Sequence, residues 1–323
     1  MAPGKASSPP QYLPPTKGFL SYLPAPWVPY AELIRIDKPH GIYMILYPYI
    51  LGLLYAAKIA SAPLPLPLVI NRAIQLTIWT FFLRSAGCAW NDNIDQDYDK
   101  QTARCRNRPI ARGAISTFQG HVYATALIAL GFVSLQEFPF ECKAAAAVAV
   151  VLACIYPFGK RFTHFAQVPL GATLSVAIVL APYSVGVDPL SEAKIVPTAS
   201  LVACIIMLVM FYDVVYARAD TADDLKSGVK GMAVLFRNWM TTLLLSLIIG
   251  ITTLLFVAGQ STGMSPFFFQ LSVTGPAICL LTMITLLSGH FNGYGWYAGK
   301  CYVLAIASLL SGFTVEYYKT LVQ

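Results

Sequence analysis

The chain has 323 residues, of which 57% are hydrophobic and only 11% charged, with a formal net charge of +7. Soluble domains carry about 25% charged residues, so a water-soluble domain is excluded and an all-α, polytopic membrane protein is expected. The seven cysteines are scattered without CxxC spacing, which suits small apolar packing residues rather than a disulfide frame or a zinc site.

In chain order, residues 1–30 form a Pro- and Ser-rich lead-in (Pro9, Pro10, Pro14, Pro15, Pro24, Pro26 and Pro29), expected to be extended and mobile. Within it Tyr12, Phe19, Tyr22, Leu23 and Trp27 suit the bilayer interface. It lacks the layout of a secretory signal and the Arg-rich pattern of a mitochondrial presequence. Residues 31–323 are read as one transmembrane domain. Roughly nine runs meet the need for about 20 mostly apolar residues per span, near 41–58, 66–90, 117–135, 142–158, 166–187, 195–216, 235–258, 266–289 and 299–320. The third and fourth, parted only by residues 137–141, read as a tight helical hairpin.

Numbered so, the N-terminus and the loops after the even helices share one side. That side, with Arg84 near the end of the second run, carries 17 of the 22 lysines and arginines. The bias marks it as cytosolic. A cation excess laid out along loops is a membrane signature, and no nucleic-acid partner and no obligate protein partner is inferred.

The second run leads directly into Asn91-Asp92-Asn93-Ile94-Asp95-Gln96-Asp97-Tyr98-Asp99. If the helix continues, Asp92, Asp95 and Asp99 share one face at i, i+3 and i+7, while Asp97 points elsewhere. Like charges so placed repel, and a hard divalent cation such as Mg²⁺ is the natural offset. After the sixth run comes a second cluster, Tyr212 to Lys226, in which Tyr216, Asp220 and Asp224 at i, i+4 and i+8 predict another shared helical face. Eight of the 15 carboxylates lie in these two clusters, four helices apart, which hints at a weak internal repeat. Set opposite each other, the two faces could hold two magnesium ions.

Cations flank both clusters: Arg104, Arg106 and Arg108 after the first, Lys226 and Lys230 after the second, Lys160 and Arg161 from the loop between. Acids, metal and cations together fit a diphosphate, whose departure they would assist. The same cations also fit ordinary positive-inside residues. No Gly-rich phosphate loop is present to cradle a nucleotide. An isoprenoid diphosphate suits a polar rim above an apolar tunnel, where aromatic faces could stabilise an allylic cation and water is kept out.

At this point four ordered blocks resemble the UbiA superfamily of intramembrane prenyltransferases, over nearly the whole chain past residue 30. Arg35-Ile36-Asp37-Lys38-Pro39-His40-Gly41 resembles its RxDKPxG opening. Asn91-Asp92-x-x-Asp95-x-x-x-Asp99, followed by Arg104, Arg108-Pro109 and Gly113, resembles its NDxxDxxxD signature. Tyr156-Pro157-x-x-Lys160-Arg161-x-Thr163-His164-x-x-Gln167 resembles the third block. Tyr212-Asp213-x-x-Tyr216-Ala217-x-x-Asp220-x-x-Asp223-Asp224, with Gly228 and Lys230, resembles the fourth. Gly231 departs from the pattern, since Ser or Thr usually follows that lysine.

The resemblance implies nine helices around a central cavity opening to the cytosol. It implies Mg²⁺ and a prenyl diphosphate on Asp92, Asp95, Asp99, Asp220 and Asp224, with Asn91 as a hydrogen-bonding partner. Arg108, Lys226 and Lys230 would hold the diphosphate; Arg35, Lys160 and Arg161 would lie near the pyrophosphate or the aromatic acceptor; Asp220 is a candidate to activate a phenol. The implied reaction is electrophilic substitution on an acceptor ring. Overall similarity and the lead-in point to fungal meroterpenoid enzymes that transfer farnesyl, in an endoplasmic-reticulum-type membrane. The alternatives are a 4-hydroxybenzoate polyprenyltransferase of ubiquinone biosynthesis and, from another class, a cation-coupled transporter.

His40, His121 and His290 have no partner at metal-ligand spacing and are read as core or interface residues; His164, beside Lys160 and Arg161, is somewhat better placed. Arg84 lies two helical turns before Asp92. An arginine at that depth is costly unless paired, so it is expected to face the site and pair with Asp92 or a neighbouring acid.

Overall fold

The computed structural model describes residues 12–38, 40–102, 105–288 and 295–322, apart from the side chains of residues 160, 223, 227, 288 and 295–298. Residues 1–11, Arg104, His290 and the side chains of Lys160 and Asp223 therefore lie outside the described residues. Among the described residues every regular element is a helix.

The lead-in is more structured than its composition suggests. Two short turns, Phe19–Tyr22 and Ala25–Trp27, pass into α1 (Val28–Leu33). Tyr12 is tied down at its polar end. Its hydroxyl donates to Glu32 at 2.8 Å, and Arg112 both bonds Glu32 at 2.6 Å and lies 3.7 Å over the Tyr12 ring. Phe19, Tyr22 and Trp27 remain exposed.

Next come α2 (His40–Ile59), the 36-residue α3 (Leu66–Gln101), α4 (Thr117–Ser134) and α5 (Phe140–Phe162). The fifth expected run is two helices, α6 (Gln167–Ser175) and α7 (Ala177–Ser184), meeting at Val176. Then follow α8 (Ile195–Ala217), the short α9 (Thr221–Ser227) and α10 (Met232–Leu235), and α11 (Met240–Ser261). The eighth run is α12 (Pro266–Phe268), a π-helical stretch (Phe269–Thr274) and α13 (Gly275–Ser288); α14 (Gly295–Val322) is the last described element.

All nine expected runs are thus helical, but only eight stretches among the described residues are long and apolar enough to cross a membrane. α4 falls short, since Thr117, Gln119, His121 and Thr125 dilute its hydropathy. It starts sharply all the same. Ser116 Oγ accepts from the Gln119 amide and Gln119 Oε1 from the Ser116 amide, closing a capping box.

The expected hairpin of α4 on α5 does not form. α4 lies along α3 instead, while α5 packs mainly against α6, α7 and α3. The close approach rests on Gly120, where an added Cβ would come within 2.5 Å of the Asn93 side chain.

The core is aromatic and joins distant parts of the chain. Trp79 on α3 and Tyr49 on α2 are fully buried, and the indole donates to the phenol at 2.8 Å. At the end of α2 remote from His40, Glu316 of α14 is 2% exposed. It accepts from the Ser265 hydroxyl and amide and from Lys58 at 3.4 Å, clamping α2, α14 and the turn before α12.

Candidate active site

α3 does not stop at the apolar boundary. It runs unbroken to Gln101, so Asp92, Asp95 and Asp99 do share a face, and all three are buried. Asp97 points away and pairs with Lys100 at 3.1 Å. Buried carboxylates need counter-charges, and two arginines supply them. Asp92 Oδ1 accepts from Arg35 at 2.8 Å and from Arg108 at 3.1 Å, and Arg108 reaches Asp99 Oδ2 at 2.8 Å. Burial works against both guanidinium charges, but their neighbours outweigh it, Cys88 and then Asp92 for Arg35, Asp92 and then Asp99 for Arg108, and each arginine holds its proton more tightly than usual.

Arg35 is aimed by a strained backbone. Its φ of +53° makes it the only non-glycine with positive φ among the described residues, a conformation that costs an L-residue about 1–2 kcal/mol. Arg84 holds that turn. Its guanidinium donates to the carbonyls of Ile34 at 2.7 Å, Arg35 at 3.2 Å and Lys38 at 3.0 Å. It faces the site as expected, but its partners are these carbonyls rather than an acid. A turn of this kind leaves carbonyls that no helix satisfies, and a planar five-donor group serves several at once. Gly41 makes room, since a Cβ there would sit 2.7 Å from Arg84 Nε.

The second acid tip is not the single straight helix expected. α8 ends at Ala217, a 3₁₀ turn spans Arg218–Asp220, and α9 carries Asp224. Gly228 at φ +73° closes α9 in a left-handed cap, with Val229 N donating to Asp224 O at 3.0 Å. The break re-aims the chain, yet Tyr216, Asp220 and Asp224 still face one space.

That space is a cavity of about 540 Å³. Its polar wall brings together Arg35, Asn91, Asp95, Asp99 and Arg108 from the first tip and Tyr216, Asp220, Asp224 and Lys230 from the second. Its apolar wall includes Met44, Ile45, Leu83, Leu170, Leu174 and Val209. Asp92 lies behind this lining, held by its two arginines. Arg161 lies outside it: its guanidinium donates to Ile94 O at 2.8 Å and sits over Tyr98 and Phe158. Lys226, exposed on α9, is also absent from the lining.

Residues 45–294 match the model of the UbiA prenyltransferase family. The chain belongs to the UbiA prenyltransferase family. A prenyltransferase named ascA from Acremonium egyptiacum is 55% identical over 95% of this chain and 90% of its own length. The DMOA farnesyltransferase nvfB of Aspergillus novofumigatus is 38% identical over 93% and 94%. A UbiA homologue from Archaeoglobus fulgidus, solved with GPP and Mg²⁺, superposes with a TM-score of 0.65 at 16% identity, over 90% of this chain and 99% of that one. That likeness shows the fold; the sequence relatives make this chain a prenyltransferase.

The donors of this UbiA-family enzyme suit a hard cation. Among the described residues, no three His, Cys, Asp or Glu side chains group closely enough to hold an ion alone. Mg²⁺ asks less, commonly binding through one or two carboxylates plus substrate phosphates. The cavity offers carboxylates from both tips, and Asn91 Oδ1 and Asp92 Oδ2 are buried oxygens without a hydrogen-bond donor. The residues present fit the ion.

Two histidines make specific contacts. His164 lies against the backbone of Gly231, its Nδ1 3.3 Å from the amide nitrogen, so it braces the position where the usual hydroxyl is missing. His40 lines the cavity, and its Nε2 lies 2.5 Å from the Tyr212 hydroxyl. These two residues are 172 positions apart, beyond any spacing rule; only their places in the first and fourth blocks hinted at it.

Proposed function

We propose that the enzyme transfers a farnesyl group from its diphosphate, with Mg²⁺, to a ring carbon of an aromatic polyketide or phenolic acid in meroterpenoid biosynthesis. One observation carries the reading: two carboxylate-bearing helix tips face one cavity that also has an apolar wall.

Asn91, Asp95, Asp99, Asp220 and Asp224, with Asp92 behind, would hold magnesium. When bound, the ion neutralises the pyrophosphate as its bond to carbon breaks. Arg35, Arg108 and Lys230 would bind the diphosphate oxygens; Arg35 and Arg108 are now engaged with Asp92 and Asp99 and exchange carboxylate for phosphate. Tyr216 stands beside them on the α8 tip. Lys226 and Arg161 are assigned to the approach of substrate rather than to the diphosphate, and Lys160 to the pyrophosphate or the acceptor. Met44, Ile45, Leu83 and Val209 would take the isoprenoid chain and keep water from the allylic cation. Farnesyl is favoured because a 38% identical relative bears the name farnesyltransferase. The cation-rich end faces the cytosol, in an endoplasmic-reticulum membrane and without need of a partner chain, which cell fractionation and protease protection check.

Microsomes carrying the enzyme are offered farnesyl, geranylgeranyl and longer polyprenyl diphosphates with a panel of resorcylic and hydroxybenzoic acids, and products are read by mass spectrometry. C-farnesylated products are expected. Strong turnover of 4-hydroxybenzoate with long polyprenyl donors alone would overturn the assignment in favour of ubiquinone biosynthesis.

A further inference from the structure

Ring substitution frees one proton for every pyrophosphate released, and the metal-binding carboxylates of the two tips are poor candidates to take it. They are committed to metal and diphosphate, and a carboxylate beside a dication loses basicity. Between the two tips lies another polar corner of the same cavity. His40, at the start of α2, meets Tyr212 of α8, with Nε2 and hydroxyl 2.5 Å apart. Tyr212 also packs on Tyr302, ring centroids 4.6 Å apart, which holds its ring in place. Lys38, two residues before His40, also lines the cavity, its carbonyl held by Arg84. A cation next to a hydroxyl–imidazole pair suits a phenolic acid: the cation attracts its carboxylate and favours phenolate, and the pair accepts a proton.

Resting on the function proposed above, we propose that Tyr212 contacts the acceptor phenol and passes its proton to His40, so that this corner is the acceptor half of the site. The ring carbon forms the new C–C bond, and the allylic C–O bond breaks with its electron pair leaving on pyrophosphate. As the ring attacks, the phenolic O–H pair moves into the ring to give a dienone. That proton reaches the Tyr212 oxygen while the Tyr212 hydrogen moves to Nε2 of His40, neutral and protonated on Nδ1. The dienone then loses its ring hydrogen and regains its phenolic proton, and one proton in net is left to pass from His40 to water. Tyr212 is the group touching substrate; His40 acts through it.

The test compares wild type, His40→Ala, His40→Gln and Tyr212→Phe in detergent, with farnesyl diphosphate and whichever phenolic acid of the panel wild type prenylates. Binding of farnesyl thiolodiphosphate with Mg²⁺ reports fold and donor site, and is expected to be unchanged in all three variants. Prenylated product is expected to fall about 100-fold in each, while farnesol released by uncoupled ionisation rises relative to it. Exogenous imidazole should restore product in His40→Ala but not in Tyr212→Phe. Wild-type product from His40→Ala and His40→Gln overturns the proposal, as does loss that imidazole leaves untouched or that tracks lost donor binding. If wild type itself prenylates no acid of the panel, the functional reading has failed instead.

Discussion

Arg35 and Arg84 carry most of the conformational cost of the site. One is held in a left-handed turn, the other is buried at the depth of a spanning helix, and each makes the other tenable. Arg84→Met removes the donor of Ile34 O and leaves Arg35 O and Lys38 O only the amides of Lys38 and Gly41, at about 1.5–3 kcal/mol for a charged hydrogen bond. kcat/KM for the donor is expected to fall by roughly tenfold or more. Arg84→Lys should recover only part of it, since an ammonium does not fork across several acceptors. Wild-type kinetics in Arg84→Met would remove the turn from the account. Asp92→Asn strips the charge that both Arg35 and Arg108 share, so turnover is expected to vanish while the protein still purifies as a folded species. At this scale the sequence indicated that Arg84 is paired and faces the site, because an intramembrane arginine must be. It did not reveal carbonyl partners, since nothing local marks residue 35 for positive φ.

The two acid tips differ as elements. α3 carries its carboxylates on continuous helix, and the 3.6-residue period read them correctly. The second tip bends through a 3₁₀ turn, which the i, i+4, i+8 pattern misses because short turns preserve the facing of side chains that they displace. Gly228 ends that tip in a conformation an L-residue adopts at a cost of about 1–2 kcal/mol. Gly228→Ala is therefore expected to shift the Mg²⁺ titration of turnover to higher concentration; an unchanged titration would mean that the cap does not position Asp224. The clamp at the far end makes the opposite forecast. Glu316→Ala takes from Lys58 its buried carboxylate and from Ser265 its acceptor, so thermal unfolding in detergent should come earlier with KM unchanged. The misjudged α4–α5 hairpin has a similar origin. A short loop suggests neighbours, but Gly120 allows α4 to lie against α3, and a packing preference between helices distant from the loop is invisible to hydropathy.

For the whole molecule, hydropathy located every spanning run, and four sequence blocks located the chemistry. The long-range pairings, His40 with Tyr212 above all, depend on how helices distant in the chain close around one cavity. The central claim is that both acid tips grip a single diphosphate through magnesium. It is tested most directly by the affinity of the purified enzyme for farnesyl thiolodiphosphate, with Mg²⁺ and with chelator, in wild type, Asp95→Asn and Asp224→Asn. Binding is expected to require the metal and to weaken about tenfold or more in each variant taken singly. Wild-type affinity in either variant, or binding indifferent to chelation, would contradict a shared site.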